Sequence, residues 1–228
     1  MIKQTDIKGL NAYYKAEAIS DITEEAIRGG FSAAACAKLI FSVPCGDTGE
    51  YETLKKNIPD AYLARIQYRA AAGQLILPPC LGEATAVAVM PGEISFIREL
   101  YLRRVMEFYE EWKPSITPDR IAFSRDVAQY RLLPENSLCL AKQSSPVGLT
   151  TVYEREEPGT YCLNWIWFSP ELSVHERSRA HYLTVEWLAK KGRAIDAFVD
   201  SFNFRSIRFF RKTGFSPVCL HITKKSFL

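Results

Sequence analysis

Asn203–Phe215 reads NFRSIRFFRKTGF, a segment short enough for one helix that carries four cationic side chains and four phenylalanines. Arg205, Arg208 and Lys212 fall at i, i+3 and i+7, which makes one basic stripe. Phe202, Ile207, Phe209 and Phe210 supply the apolar wedge that sets such a helix against a sheet. Asn203 is a strong N-cap residue. Gly214 stands where a helix ends in positive φ.

Outward from this helix the chain alternates. AIDAFVDS (194–201) reads as a strand before it, and SPVCLHITKKS (216–226) as a strand after it. Upstream, a long helix over 174–191 stops at Gly192. Before that come three strands, SLCLAKQ, VGLTTVYE and TYCLNWIWFS, separated by turn residues. Ile94–Trp112 places Ile97, Leu100, Tyr101, Val105 and Phe108 near one helical face. A second helix follows, with Thr117 as N-cap and Pro118 at its first position. TAVAVMPGE opens the series as a short strand, so the order is β–α–α–β–β–β–α–β–α–β. QLILPPCLGEA precedes it and marks a junction between Leu77 and Glu83, which divides the chain into 1–82 and 83–228. The segment 1–82 reads as mainly helical. Its helices run over Ile19–Val43, capped by Thr23 and broken at Gly29-Gly30, and over Tyr51–Ala72, interrupted by Pro59.

That order and the terminal motif resemble the GCN5-related N-acetyltransferase (GNAT) family. Asn203, Ser206, Phe209, Phe210, Lys212, Gly214 and Phe215 stand in the slots of its late signature, with Phe210 where the family has Tyr. Glu93, Ile97 and Leu100 match the opening of its first helix. The resemblance covers residues 84–228 and implies an α/β fold: a mixed sheet flanked by helices, preceded here by the N-terminal segment.

The resemblance also implies a donor site for acetyl-CoA or another acyl-CoA. Its pantetheine arm would lie where the strands 161–169 and 194–201 part, along Trp165, Ile166 and Trp167. The long helix would point its N-terminus at the pyrophosphate. No glycine lies between Gly159 and Gly192, so the family's glycine-rich turn is replaced by VHERSRAHY. Arg177, Ser178, Arg179 and Ala180 are the residues left to meet phosphates there. Ser173-x-x-Glu176 is at the same time a capping box that would satisfy the helix itself. Asn203, Arg205, Ser206, Arg208, Phe210 and Lys212 would serve the cofactor from the quoted helix; the alternative for the stripe is a solvated face.

Transfer to an amine needs a base for its proton and an acid for the departing thiolate. Phe210 cannot donate. His175, Glu176 and Ser201 are the expected catalytic residues, with Tyr182 nearby, and a backbone N–H of Asn164 or Trp165 would polarise the thioester carbonyl. The expected enzyme is an N-acyltransferase acting on a small-molecule or peptide amine. The alternatives are a silent binding module of the same fold, and a transferase fed by an acyl carrier protein docked on Arg103, Arg104, Arg120 and Arg125.

Composition bounds these readings. The chain of 228 residues is 47% hydrophobic, with a net charge of +3. That charge argues against a nucleic-acid partner. No apolar run suggests a signal peptide or a membrane span. The six cysteines show no CxxC pair and read as free thiols in a reducing cytoplasm. No metal-ligand spacing occurs, and a homodimer is compatible with the apolar N-terminal positions Phe31, Leu39, Ile40 and Phe41.

Overall fold

The computed structural model describes residues 1–225 apart from 9–10, 35, 37, 46–47, 59, 82–85, 113–117 and 156–158. In chain order its elements are β1 (Ile2–Lys8), β2 (Asn11–Ala16), α1 (Glu24–Ala34), β3 (Lys38–Pro44), α2 (Thr48–Asn57), β4 (Tyr62–Ala70), β5 (Val87–Met90), α3 (Ile94–Glu111), α4 (Pro118–Asp126), β6 (Ser137–Lys142), β7 (Ser145–Glu154), β8 (Thr160–Phe168), α5 (Val174–Ala189), β9 (Ala194–Asp200), α6 (Phe204–Lys212) and β10 (Ser216–Lys225). The mixed α/β fold and the whole element order after residue 84 agree with the sequence reading.

Residues 1–82 depart from it. They are not mainly helical: four strands accompany α1 and α2. Leu39, Ile40 and Val43 satisfy helical spacing, but burial falls on Leu39, Phe41 and Val43, the period of a strand. In β4 it falls likewise on Ile66, Tyr68 and Ala70. Gly29 and Gly30 do not break α1. A Cβ on Gly30 would come within 3.0 Å of Leu39, so the missing side chain lets helix and strand approach. Thr23 caps α1 as expected, its hydroxyl accepting the Ala26 N–H at 3.2 Å. The expected roles of Pro59 and Thr117 lie outside the described residues.

The chain forms two compact units, which do not follow the linear division at 82/83. The first comprises Met1–Arg69, Phe198–Arg211 and Phe215–Leu228; the second comprises Ala70–Ala197 and Lys212–Gly214. In the first unit the strands run in the order β1-β2-β3-β10-β4, with the end of β9 beside β4. β2 and β3 are parallel, while β3, β10 and β4 are antiparallel neighbours.

In the second unit the start of β9 is followed by β8, β7, β6 and β5. Consecutive residues of these strands feed opposite faces. Cys139 and Leu149 join Ile97, Leu100, Tyr101, Val105 and Val127 on the side of α3 and α4. Leu138, Leu140 and Val147 join Leu172, Ala180 and Leu183 on the side of α5. Burial of these side chains drives the unit's folding, at roughly 1.5–3 kcal/mol for each large one.

Candidate functional site

The second unit contains the parallel pair β8 and β9. Within this unit β8 pairs with β9 from Thr160/Ala194 to Leu163/Ala197, where the unit's share of β9 ends. β8 itself continues to Phe168, held on its other side by β7. At the same point the β7 register jumps from Val152↔Leu163 to Thr151↔Trp165, so Asn164 is a bulged residue. Burial changes there as well: Thr160–Leu163 are buried and Asn164–Phe168 are half-buried. Within the second unit, Trp165, Ile166 and Trp167 thus have no strand partner opposite β7.

The side chains along this edge are fixed from α3. Asn164 Nδ2 donates to the Tyr101 hydroxyl at 3.0 Å and to Thr151 Oγ1 at 3.5 Å. Burial pushes the Tyr101 phenol up from its usual range, against the opposing effect of the Asn164 bond. Trp165 lies edge-on to Tyr101 and Phe108, with ring centroids 6.2 and 5.6 Å away. The Arg104 guanidinium stands 4.1 Å from the Trp167 ring centre and pairs with Glu107 at 2.7 Å. The Trp165 indole N–H and Arg104 Nε are both buried without a hydrogen-bond partner among the described residues.

The first turns of α5 gather the expected phosphate-binding residues in the same unit, but their side chains serve the chain itself. Ser173 Oγ accepts the Glu176 N–H at 3.3 Å, and Glu176 Oε2 accepts the Ser173 N–H at 2.9 Å. Glu176 Oε1 pairs with Lys142 at 2.6 Å. The Lys142 bond, then the Ser173 N–H, hold this carboxyl down at about 2. Arg177 donates to the carbonyls of Ser169 and Pro170, each at 3.2 Å. Ser178 Oγ donates to the Pro79 carbonyl at 2.8 Å and accepts the Leu81 N–H at 3.0 Å. Arg179 reaches Cys80 Sγ at 3.8 Å and lies over Tyr182. Ala180 is buried, and His175 is exposed.

In the first unit, Asn203 Oδ1 accepts the Ser206 N–H at 3.1 Å, so Asn203 caps α6. Asn203→Ala should cost about 1 kcal/mol by denaturant unfolding, and Asn203→Ser should restore most of it. Ser201 Oγ donates to the Leu63 carbonyl at 2.6 Å. Phe210 is a core residue, stacked on Tyr68 at 5.7 Å and edge-on to Phe215 at 4.8 Å. The Tyr68 hydroxyl beside it is buried without a partner among the described residues. Arg205 and Arg208 are exposed on α6, as is Lys212, which belongs to the second unit.

Sequence reasoning passed over His221 in β10. Its Nδ1 lies 2.9 Å from Ser42 Oγ, and its Nε2 is buried without a partner among the described residues. Desolvation, then the neighbouring Arg65, lower its pKa to about 4. Arg65 Nε in turn donates to Asp200 at 3.0 Å. The one available signal was the alternation of Cys219, His221 and Thr223 through the last strand.

No protein-family model and no curated protein sequence matches the chain. Solved structures do. A GCN5-related N-acetyltransferase from Sphaerobacter thermophilus superposes with a TM-score of 0.60 at 12% identity, over 98% of this chain and 76% of that one. The chain shares the fold of that acetyltransferase. An acetyltransferase of the GNAT family from Colwellia psychrerythraea (TM-score 0.52, 10% identity) covers 91% of this chain and 71% of its own. A GCN5-related N-acetyltransferase from Kribbella flavida (TM-score 0.50, 12% identity) covers 94% and 82%. The likeness to GNAT folds therefore takes in β1–β4 as well as the part recognised by motif. Among the described residues, no helix is long and apolar enough to cross a membrane, and no group of His, Cys, Asp or Glu is arranged to hold a metal.

Proposed function

We propose that the protein is an N-acyltransferase that moves an acyl group from a pantetheine thioester, such as acetyl-CoA or another acyl-CoA, to a primary amine of a small molecule or peptide. The observation that carries this reading is that, within the second unit, the β8–β9 ladder reaches only Leu163/Ala197 while β8 runs on to Phe168. Backbone groups left on such an edge seek partners, and the amides of an extended pantetheine arm match their spacing. The bulge at Asn164 turns a main-chain N–H out of the ladder, where it can polarise the thioester carbonyl. The amine nitrogen then attacks that carbon, the C–S bond breaks, and the sulfur leaves as a thiol.

Proton transfer falls to His175 among the three expected residues. Glu176 is committed to Ser173 and Lys142 and is too weak a base at about 2. The Ser201 proton is committed to a carbonyl.

The test is to incubate the protein with acetyl-CoA and S-acetylpantetheine in the presence of a panel of amines, reading free thiol and the amide NMR signals of residues 164–168. Thiol release that needs an amine, with shifts centred on these amides, is expected. Shifts without any thiol release would instead favour a binding module, a reading supported by the Glu176 cap and by Phe210. No shift and no thiol would remove the acyl-transfer reading.

A further inference from the structure

The α5 N-terminus does not fit the diphosphate of coenzyme A. A helix start binds an anion by offering free N–H groups and the positive end of its dipole. Here the capping box takes the N–H groups of Ser173 and Glu176 and sets the chain's own anion at that place. Glu176 Oε2 accepts the Ser173 N–H at 2.9 Å, and Oε1 holds Lys142 at 2.6 Å. The cation that could have met a phosphate is thus paired inside the molecule.

The cations further along are anchored by the chain. Arg177 is bound to the Ser169 and Pro170 carbonyls. Ser178 and Arg179 fasten Pro79, Cys80 and Leu81 over the second turn of the helix. With no glycine between Gly159 and Gly192, the backbone offers no bare surface for close approach. An incoming phosphate would also meet a like charge on Glu176, which disfavours it.

The β8 edge shows the opposite condition. Within the second unit, Asn164–Phe168 have no strand partner opposite β7 and are half-buried, suited to an uncharged amide-bearing arm.

We infer that the acyl donor is recognised through its acyl-pantetheine arm on the Asn164–Phe168 edge, and that the nucleotide end of coenzyme A contributes nothing to its binding. The inference rests on the acyl-transfer reading and names the donor class for it. The shared chemistry is an acyl-pantetheine thioester. It can come from a carrier protein, or from acyl-CoA with its nucleotide left in solvent.

The test is to titrate the intact protein with S-acetylpantetheine, acetyl-CoA and an acetylated phosphopantetheinyl carrier protein, reading Kd from the amide signals of residues 164–168. S-acetylpantetheine and acetyl-CoA should bind wild type within about threefold of each other. Glu176→Gln keeps a hydrogen-bond acceptor for the cap and removes the charge; Glu176→Gly opens the helix end. In both variants acetyl-CoA should tighten, by about tenfold in Glu176→Gly, while S-acetylpantetheine stays unchanged. The Gln variant preserves the test if the Gly variant does not fold.

Acetyl-CoA binding wild type about tenfold or more tighter than S-acetylpantetheine would overturn the inference and leave acyl transfer standing. Absence of binding by all three thioesters would overturn the acyl-transfer reading and the inference with it. If the acetylated carrier binds more tightly than S-acetylpantetheine, the source is a carrier; if equally, the free thioester suffices.

Discussion

Gly214→Ala should destabilise the protein by about 3 kcal/mol or more, lowering its melting temperature by roughly 6–12 °C. Two independent effects add. Gly214 has φ +89°, a region that costs an L-residue about 1–2 kcal/mol. A Cβ placed there would also overlap the Gln74 carbonyl oxygen and stand 3.2 Å from Ile76 N. That overlap is with backbone, which cannot rotate away, and the segment it strikes is fixed by the Ile76 N–H donating to the Thr213 carbonyl at 3.0 Å. Relief would therefore require giving up that bond. The contrast is Gly29→Ala. Gly29 lies inside α1, where an added Cβ meets nothing within 4 Å, and the change should stabilise by about 0.5–1 kcal/mol. Urea unfolding of both variants against wild type checks the pair. A Gly214→Ala protein within about 1 kcal/mol of wild type would show that the turn after α6 is not held as described.

The family signature and the structure meet at these same residues, which explains why part of the fold was legible. Gly214 ends α6, Asn203 caps it and Phe210 is buried against Tyr68, so three signature slots are helix-building positions whatever chemistry the site performs. Local rules suffice to read them. They fail for β3 and β4, whose stability comes from β10, about 180 residues after β3 in the register Ser42↔His221. Over seven residues a run such as Lys38–Pro44 fits both periods, and only the distant partner decides. The site divides in the same way. The Ser173–Glu176 capping box is written in four consecutive residues. Its closure by Lys142 is not, and neither is the clasp of Ser178 on Pro79, 99 residues away. What fixes this helix end beyond its capping box is thus tertiary.

His221 is the residue most hidden from sequence, and it predicts the pH dependence. It stands on β10 between β3 and β4, its ring 2.9 Å from Ser42 Oγ and 5.6 Å from the Phe198 ring, with Arg65 in register on β4. Desolvation is the larger cause and Arg65 the second, and together they bring the folded-state pKa to about 4 from an ordinary 6.5. The imidazole is therefore neutral in the folded protein at pH 7. Between 6.5 and 4 the unfolded chain binds this proton and the folded chain does not. Stability contributed by neutral His221 is complete above pH 6.5, falls as pH drops through that window, and stops falling below 4.

At about 1.4 kcal/mol for each tenfold loss of proton affinity, the full loss is of order 3 kcal/mol, and about 2 kcal/mol of it should have gone between pH 7 and pH 5. His181 is lowered too, by burial and then by Arg177, and acts with the same sign. Glu176, held at about 2, adds its own loss only as pH falls below its ordinary 4.5. The share of His221 is therefore the difference between wild type and His221→Gln, measured by urea unfolding at intervals from pH 7 to pH 5. The two curves should converge by about 2 kcal/mol on acidification, since only wild type has this proton to resist. Parallel curves would mean that the ring titrates normally, open to water and clear of Arg65.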